Sequence, residues 1–131
     1  MSTNNFADFY ENPGLGLDNG QSFTLITHDE DIERASRSLK AMSHPLRLKI
    51  LCVLGEREYS VQDIVEQVGT SQSNISQHLA ILRDKGILAS RKDANRVYYR
   101  VSDARTLRLI SMMRDVFCSF CHSNSTLSHY G

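Results

Sequence analysis

Gly69-Thr70-Ser71-Gln72-Ser73-Asn74-Ile75-Ser76-Gln77-His78-Leu79-Ala80-Ile81-Leu82-Arg83-Asp84-Lys85-Gly86 is the stretch that decides the fold. Ile75, Leu79 and Leu82 recur at i, i+4 and i+7, the spacing of one helical face. The opposite side, near the N-terminal end, carries Gln72, Ser73, Ser76 and Gln77. A face made only for water would carry Glu and Lys, yet none stands between Ser71 and Leu82. Short hydroxyls and amides can instead hydrogen-bond base edges, and glutamine suits N6 and N7 of adenine. The first-turn N–H groups are also open to a phosphate. The pattern predicts a helix from about Ser71 to Lys85, stopped by Gly86, whose Gln72, Ser73, Ser76 and Gln77 read bases.

The flanks fit that reading. Upstream, Ser60-x-x-Asp63 caps a helix that ends at Gly69, with Val61, Ile64, Val65 and Val68 inward. The short turn at Gly69-Thr70 makes this pair a helix-turn-helix. Before it, a helix from about His44 to Leu54 is capped by Ser43, admits Pro45 in its first turn and stops at Gly55. It is apolar nearly all round, which places it in the core. A first helix is predicted from the box Thr27-x-x-Glu30, which precedes the helical pattern Ile32, Ala35, Leu39 and Met42. Downstream, Leu88–Lys92 and Arg96–Val101 alternate as two strands around Asp93-Ala94-Asn95. Arg91, Lys92, Asn95 and Arg96 lie near the tip of that hairpin, where they would lie along the DNA backbone or enter the minor groove, positioning the protein rather than reading sequence. Ser102 or Asp103 opens a last helix to about Cys118. The predicted class is mainly α with a β-hairpin wing, in the order α-α-α-α-β-β-α.

Composition narrows the function. The chain has 131 residues and equal numbers of acids and bases, 15 of each, enough for one core and too few for two. The charges are segregated. Residues 1–33 hold seven acids and no Lys or Arg, whereas residues 71–102 hold six bases and two acids, a local +4. A basic stripe on a helix-turn-helix and its hairpin is the footprint of a polyanion partner. Residues 1–26 read as a flexible acidic arm, 27–121 as the DNA-binding and dimerisation domain, and 122–131 as a polar tail. No apolar run suits a membrane, and no basic-then-apolar leader opens the chain. An odd cysteine count then fits a reducing cytoplasm. Paired carboxylates, a nucleophile–base pair and a phosphate loop are all missing, which argues against an enzyme, and no cofactor is called for.

Ser43-His44-Pro45-Leu46-Arg47-Leu48-Lys49-Ile50-Leu51, Ser71-Gln72-Ser73-Asn74-Ile75-Ser76-Gln77-His78-Leu79 and Val97-Tyr98-Tyr99-Arg100-Val101 together resemble the ArsR/SmtB family of bacterial repressors, over roughly residues 30–118. The resemblance implies a winged helix-turn-helix homodimer on an imperfect inverted repeat of double-stranded DNA, released by an inducer. The last helix agrees, since Leu107, Leu109, Ile110, Met112, Met113, Val116, Phe117 and Phe120 leave little polar face. Two metal sites of the family are broken here. Ser60 and Gln62 stand in the segment that would need cysteines, and Asp103-Ala104-Arg105 lacks the histidine of the last-helix site.

The cysteines remain. Cys52 alone reads as a small buried hydrophobe. With Cys118, however, it resembles the thiol- and persulfide-sensing branch of the family, which implies a pair linked through sulfur as a disulfide or polysulfide bridge, with reactive sulfur species as inducer. Arg114 and Lys49 are candidates to favour the two thiolates against the helix-end dipole. Cys121 completes a Cys-x-x-Cys with Cys118 and reads as an accessory thiol. The alternative is a metal or metalloid site made by Cys118, Cys121 and a tail histidine, His122 or His129.

Overall fold

Helix boundaries in this chain are set by short polar caps and glycines. The computed structural model describes residues 23–118. Helix α1 spans Asp29–Met42, α2 Pro45–Leu54, α3 Val61–Val68, α4 Gln72–Asp84 and α5 Ala104–Phe117; strands are β1 Tyr59–Ser60, β2 Leu88–Asp93 and β3 Arg96–Val101. The chain divides into units 1–32 and 33–131. In the first, residues 23–28 precede the helix, and Phe23, Leu25 and Ile26 are exposed. The expected Thr27 capping box does not form. The Thr27 hydroxyl lies 3.4 Å from His28 Nδ1, and the His28 carbonyl accepts the first helical bonds, from Asp31 and Ile32.

In the second unit the caps read from sequence recur with one correction. Ser60 and Asp63 form the reciprocal box at α3, and Gly69 ends that helix in the left-handed region at φ 85°. Ser71 caps α4 and Asp103 caps α5. At α2 the cap is His44, not Ser43: Leu46 N–H donates to its Nδ1 at 3.1 Å. Proline at the first helical position leaves N2 as the donor nearest the cap.

Ile50, Leu51 and Leu54 of α2, Ile64 of α3, and Ile75, Leu79 and Leu82 of α4 are fully buried and form the core centre. At about 1.5–3 kcal/mol for each such side chain taken from water, this cluster is what holds α4 against α2 and α3. Ala41 and Met42 close the end of α1 on the core, while Tyr99 and Val101 bring in the sheet. The hairpin joins through a two-residue turn, Ala94-Asn95, rather than three, and Ala94 holds φ 58°, a strained value for a residue with a Cβ. Strand β1, absent from the sequence reading, pairs antiparallel with β3 (Tyr59 opposite Tyr99), giving the order β1-β3-β2. It ties the wing to the start of α3. None of the helices among the described residues is long and apolar enough to cross a membrane.

Candidate functional site

Capping fixes where α4 begins, and so what it shows to solvent. Ser71 Oγ accepts from Asn74 N–H at 3.2 Å, and Asn74 Nδ2 donates to Thr70 Oγ1 at 3.3 Å. Gln72, Ser73, Ser76 and Gln77 are all exposed, on the side away from the buried Ile75, Leu79 and Leu82. Thr70 and Asn74, which the sequence reading did not single out, brace the turn that aims these four.

His78 is buried, at 9% exposure, on the inner side of α4. Arg47 Nη1 lies 3.2 Å from its Nδ1, and the His44 ring stands 4.4 Å away at 38°. A guanidinium only donates, so His78 Nδ1 must accept and the ring proton sits on Nε2. Arg47 also donates through Nε to the Ala41 carbonyl at 2.6 Å, so one arginine ties the end of α1 to the back of α4. Desolvation first, then repulsion from His44 and Arg47, lower the His78 pKa below 6.5. The unfolded chain therefore takes up this proton more readily than the folded one. Stability from the neutral ring is intact above pH 6.5 and is lost as pH falls through the lower folded value. The urea midpoint is expected to drop on acidification through this range, and to drop less in His78→Gln, which keeps an acceptor for Arg47.

On the wing, Lys92, Asn95 and Arg96 are exposed at or beside the tip. Arg91 is already engaged. Its Nη2 and Nε donate to the two Glu58 oxygens at 2.7 and 2.8 Å, with the guanidinium 4.6 Å over the Tyr98 ring. Arg91 on β2 thus reaches across β3 to the residue before β1. Hydrogen bonding from Arg91 is the main cause lowering the Glu58 carboxyl pKa. The arrangement makes Arg91 a brace of the sheet.

Cys52 and Cys118 line the same cavity, of about 580 Å³, walled by Leu48 and Leu51 on α2 and by Leu107, Ile110 and Phe117 on α5. Cys52 is exposed, against the expectation of a buried thiol, because its side of α2 faces this opening. The apolar wall still costs it hydration, which pushes its pKa up. Lys49 gives no relief, since its amine points to the Val68 carbonyl at 3.4 Å. Arg114 does line the cavity, and the backbone N–H of Cys118, at the C-cap of α5, donates to the Arg114 carbonyl at 2.9 Å. A second recess of about 500 Å³, with Glu56, Arg57 and Tyr59 on its wall, shares Cys52, Gly55 and Leu107. Cys121, His122, His129 and Phe120 lie outside the described residues. Among those described, no group of three or more His, Cys, Asp or Glu could hold a metal.

The outer helices keep an uncovered apolar side. Leu109, Met112, Val116 and Phe117 are 42%, 58%, 67% and 77% exposed, and Ile32 and Leu39 of α1 are 46% and 50% exposed.

Residues 44–90 match the family model described as bacterial regulatory protein, arsR family. The Biofilm growth-associated repressor of Xylella fastidiosa (strain 9a5c) is 35% identical over 94 residues, 69% of this chain and 82% of that protein. The chain belongs to the ArsR family. The HTH-type transcriptional regulator YgaV of Escherichia coli (strain K12) is 41% identical over 87 residues, 66% of this chain and 88% of that protein. Among solved structures, HlyU from Vibrio cholerae N16961 superposes with a TM-score of 0.65 at 36% identity, covering 70% of this chain and all of that one. The transcriptional repressor BigR from Xylella fastidiosa gives 0.62 at 34%, covering 72% and 99%. This ArsR-family chain is therefore a winged-helix, DNA-binding transcriptional regulator and not an enzyme.

Proposed function

We propose that the protein is a dimeric repressor of an inverted-repeat operator, and that a sulfur bridge between Cys52 and Cys118 releases it. The observation carrying this reading is the common cavity of the two thiols, one on α2 and one at the end of α5. Helix α2 packs on the base-reading helix α4, and α5 bears the exposed apolar side that a second copy would cover. A bridge would therefore pull the core of the reading head toward the dimer contact. Two reading helices must match major grooves about 34 Å apart, so a small rotation at the contact is costly.

The chemistry balances with a polysulfide as oxidant. The Cys52 thiolate attacks a sulfane sulfur and expels the shortened chain, leaving a perthiol on Cys52. A second donor lengthens it by one sulfur. The Cys118 thiolate then attacks the middle sulfur, closing Cys52–S–S–S–Cys118 and releasing HS⁻. A direct disulfide needs Cα atoms within about 7 Å, whereas added sulfur bridges a wider gap. A cavity between the two walls favours the longer link.

In this reading Gln72, Ser73, Ser76 and Gln77 touch bases, and Lys92, Asn95 and Arg96 touch the backbone. Arg91 separates the contacts from the brace. Arg96→Ala is expected to weaken operator binding and to lessen the slope of log affinity against log salt by about 0.9. Arg91→Ala is expected to weaken binding with the slope unchanged. Gln72→Ala is expected to cost about 1–3 kcal/mol and to relax base preference at one position.

Operator release by tetrasulfide, reversed by dithiothreitol and followed by fluorescence anisotropy, tests the function. Anisotropy that falls and recovers supports it; a complex left intact by the donor contradicts it.

A further inference from the structure

The cavity is far larger than a sulfur bridge requires. A water takes about 30 Å³ of liquid and a bridging sulfur little more, against about 580 Å³ here. Its size lies within the range of small-ligand pockets, about 300–1,000 Å³. Leu48, Leu51, Leu107, Ile110 and Phe117 make its walls apolar. Among the described residues, the one charged side chain on the lining is Arg114. Room, apolar walls and a lone cation beside two thiols describe a site for a molecule that brings sulfur on a hydrocarbon body.

We infer that the sulfur donor is an apolar organic hydropersulfide, R–S–S–H, whose hydrocarbon part lies in this cavity. The inference rests on the proposed sulfur switch and names its substrate class. The Cys52 thiolate attacks the outer sulfur, the R–S to S bond breaks, and the electron pair leaves with R–S⁻. The negative charge passes from Cys52 to the leaving sulfur, where Arg114 on the lining can stabilise it. The thiolate product takes a proton from solvent, and Cys52 keeps the transferred sulfur as a perthiol. A donor with charged groups on R, such as glutathione hydropersulfide, gains nothing from the apolar walls and must leave those groups in water. Inorganic polysulfide fills little of the space.

Trapping and mass spectrometry of the full chain give the rate of Cys52 persulfidation and of bridge formation. The donors compared are octyl hydropersulfide, glutathione hydropersulfide and sodium tetrasulfide at equal concentration. The octyl donor is expected to react about tenfold faster than glutathione hydropersulfide, equivalent to about 1.4 kcal/mol. Its rate should saturate with concentration, and octanol, which fills the cavity without reacting, should slow it competitively. Met113 also lines the cavity, and Met113→Gln is expected to lower the octyl rate toward the glutathione rate. Equal rates for the two hydropersulfides, with no saturation and no effect of octanol on the unsubstituted protein, would overturn the inference. If every donor forms the bridge equally well, the switch stands and only the donor class falls. If no donor links the thiols, the switch itself is wrong, and the donor class falls with it.

Discussion

Cys52→Ser stays on its operator under a sulfur donor that strips the unsubstituted protein from it. The unsubstituted dimer is expected to lose about two decades of affinity, corresponding to about 3 kcal/mol. Cys52→Ser and Cys118→Ser should each lose less than about twofold in the same anisotropy titration. The two substitutions fail for different reasons. Without Cys52 there is no sulfur acceptor on α2. Without Cys118 the perthiol on Cys52 persists but cannot close across the cavity. Both serines are small and polar at positions that are exposed or half-buried, so the reduced proteins should fold and bind DNA normally. A Cys118→Ser protein released as readily as the original would show that persulfidation of Cys52 suffices and that the bridge is incidental.

Charging the uncovered side of α5 should produce the second large effect. Leu109→Asp with Val116→Asp places two carboxylates on residues 42% and 67% exposed in the single subunit. The substitutions remove no core contact, since neither side chain belongs to the buried cluster. If a second copy covers this side, two carboxylates per subunit must be desolvated against apolar neighbours, and the dimer opens. The expected result is a monomeric mass by sedimentation and operator affinity lower by two decades or more, because one reading head holds only a half-site. Circular dichroism should remain that of the folded chain. A dimer with unchanged affinity would move the contact to another surface.

Local rules made much of this fold legible. Ser60 with Asp63, Ser71, Gly69 and Gly86 are caps whose chemistry acts within a few residues, so the lengths of α3 and α4 followed from spacing alone. The stripe Ile75, Leu79, Leu82 fixed which side of α4 is hidden, and with it the four exposed polar residues. What escaped depends on partners distant in sequence. Strand β1 is two residues long with no periodicity of its own, and exists because Tyr59 meets Tyr99. Arg91 on the wing is held by Glu58, 33 residues away, a pairing that no local pattern reports. His78 falls three residues after Ile75, on the inner side of α4, and that offset was the available signal. What keeps a polar ring there is Arg47, 31 residues upstream. Cys52 misled in the other direction. A helix apolar nearly all round suggests burial on every side, but one side of α2 faces a cavity, which no periodicity reports.

The bridge and the release are best measured on one sample. Aliquots taken during reaction with tetrasulfide are divided between intact-protein mass spectrometry with peptide mapping and an operator-binding assay. The fraction of chains carrying a Cys52–Cys118 link is expected to equal the fraction unable to bind, from the first aliquot to the last. Operator release that runs ahead of this link, or that tracks a Cys118–Cys121 link instead, would contradict the account.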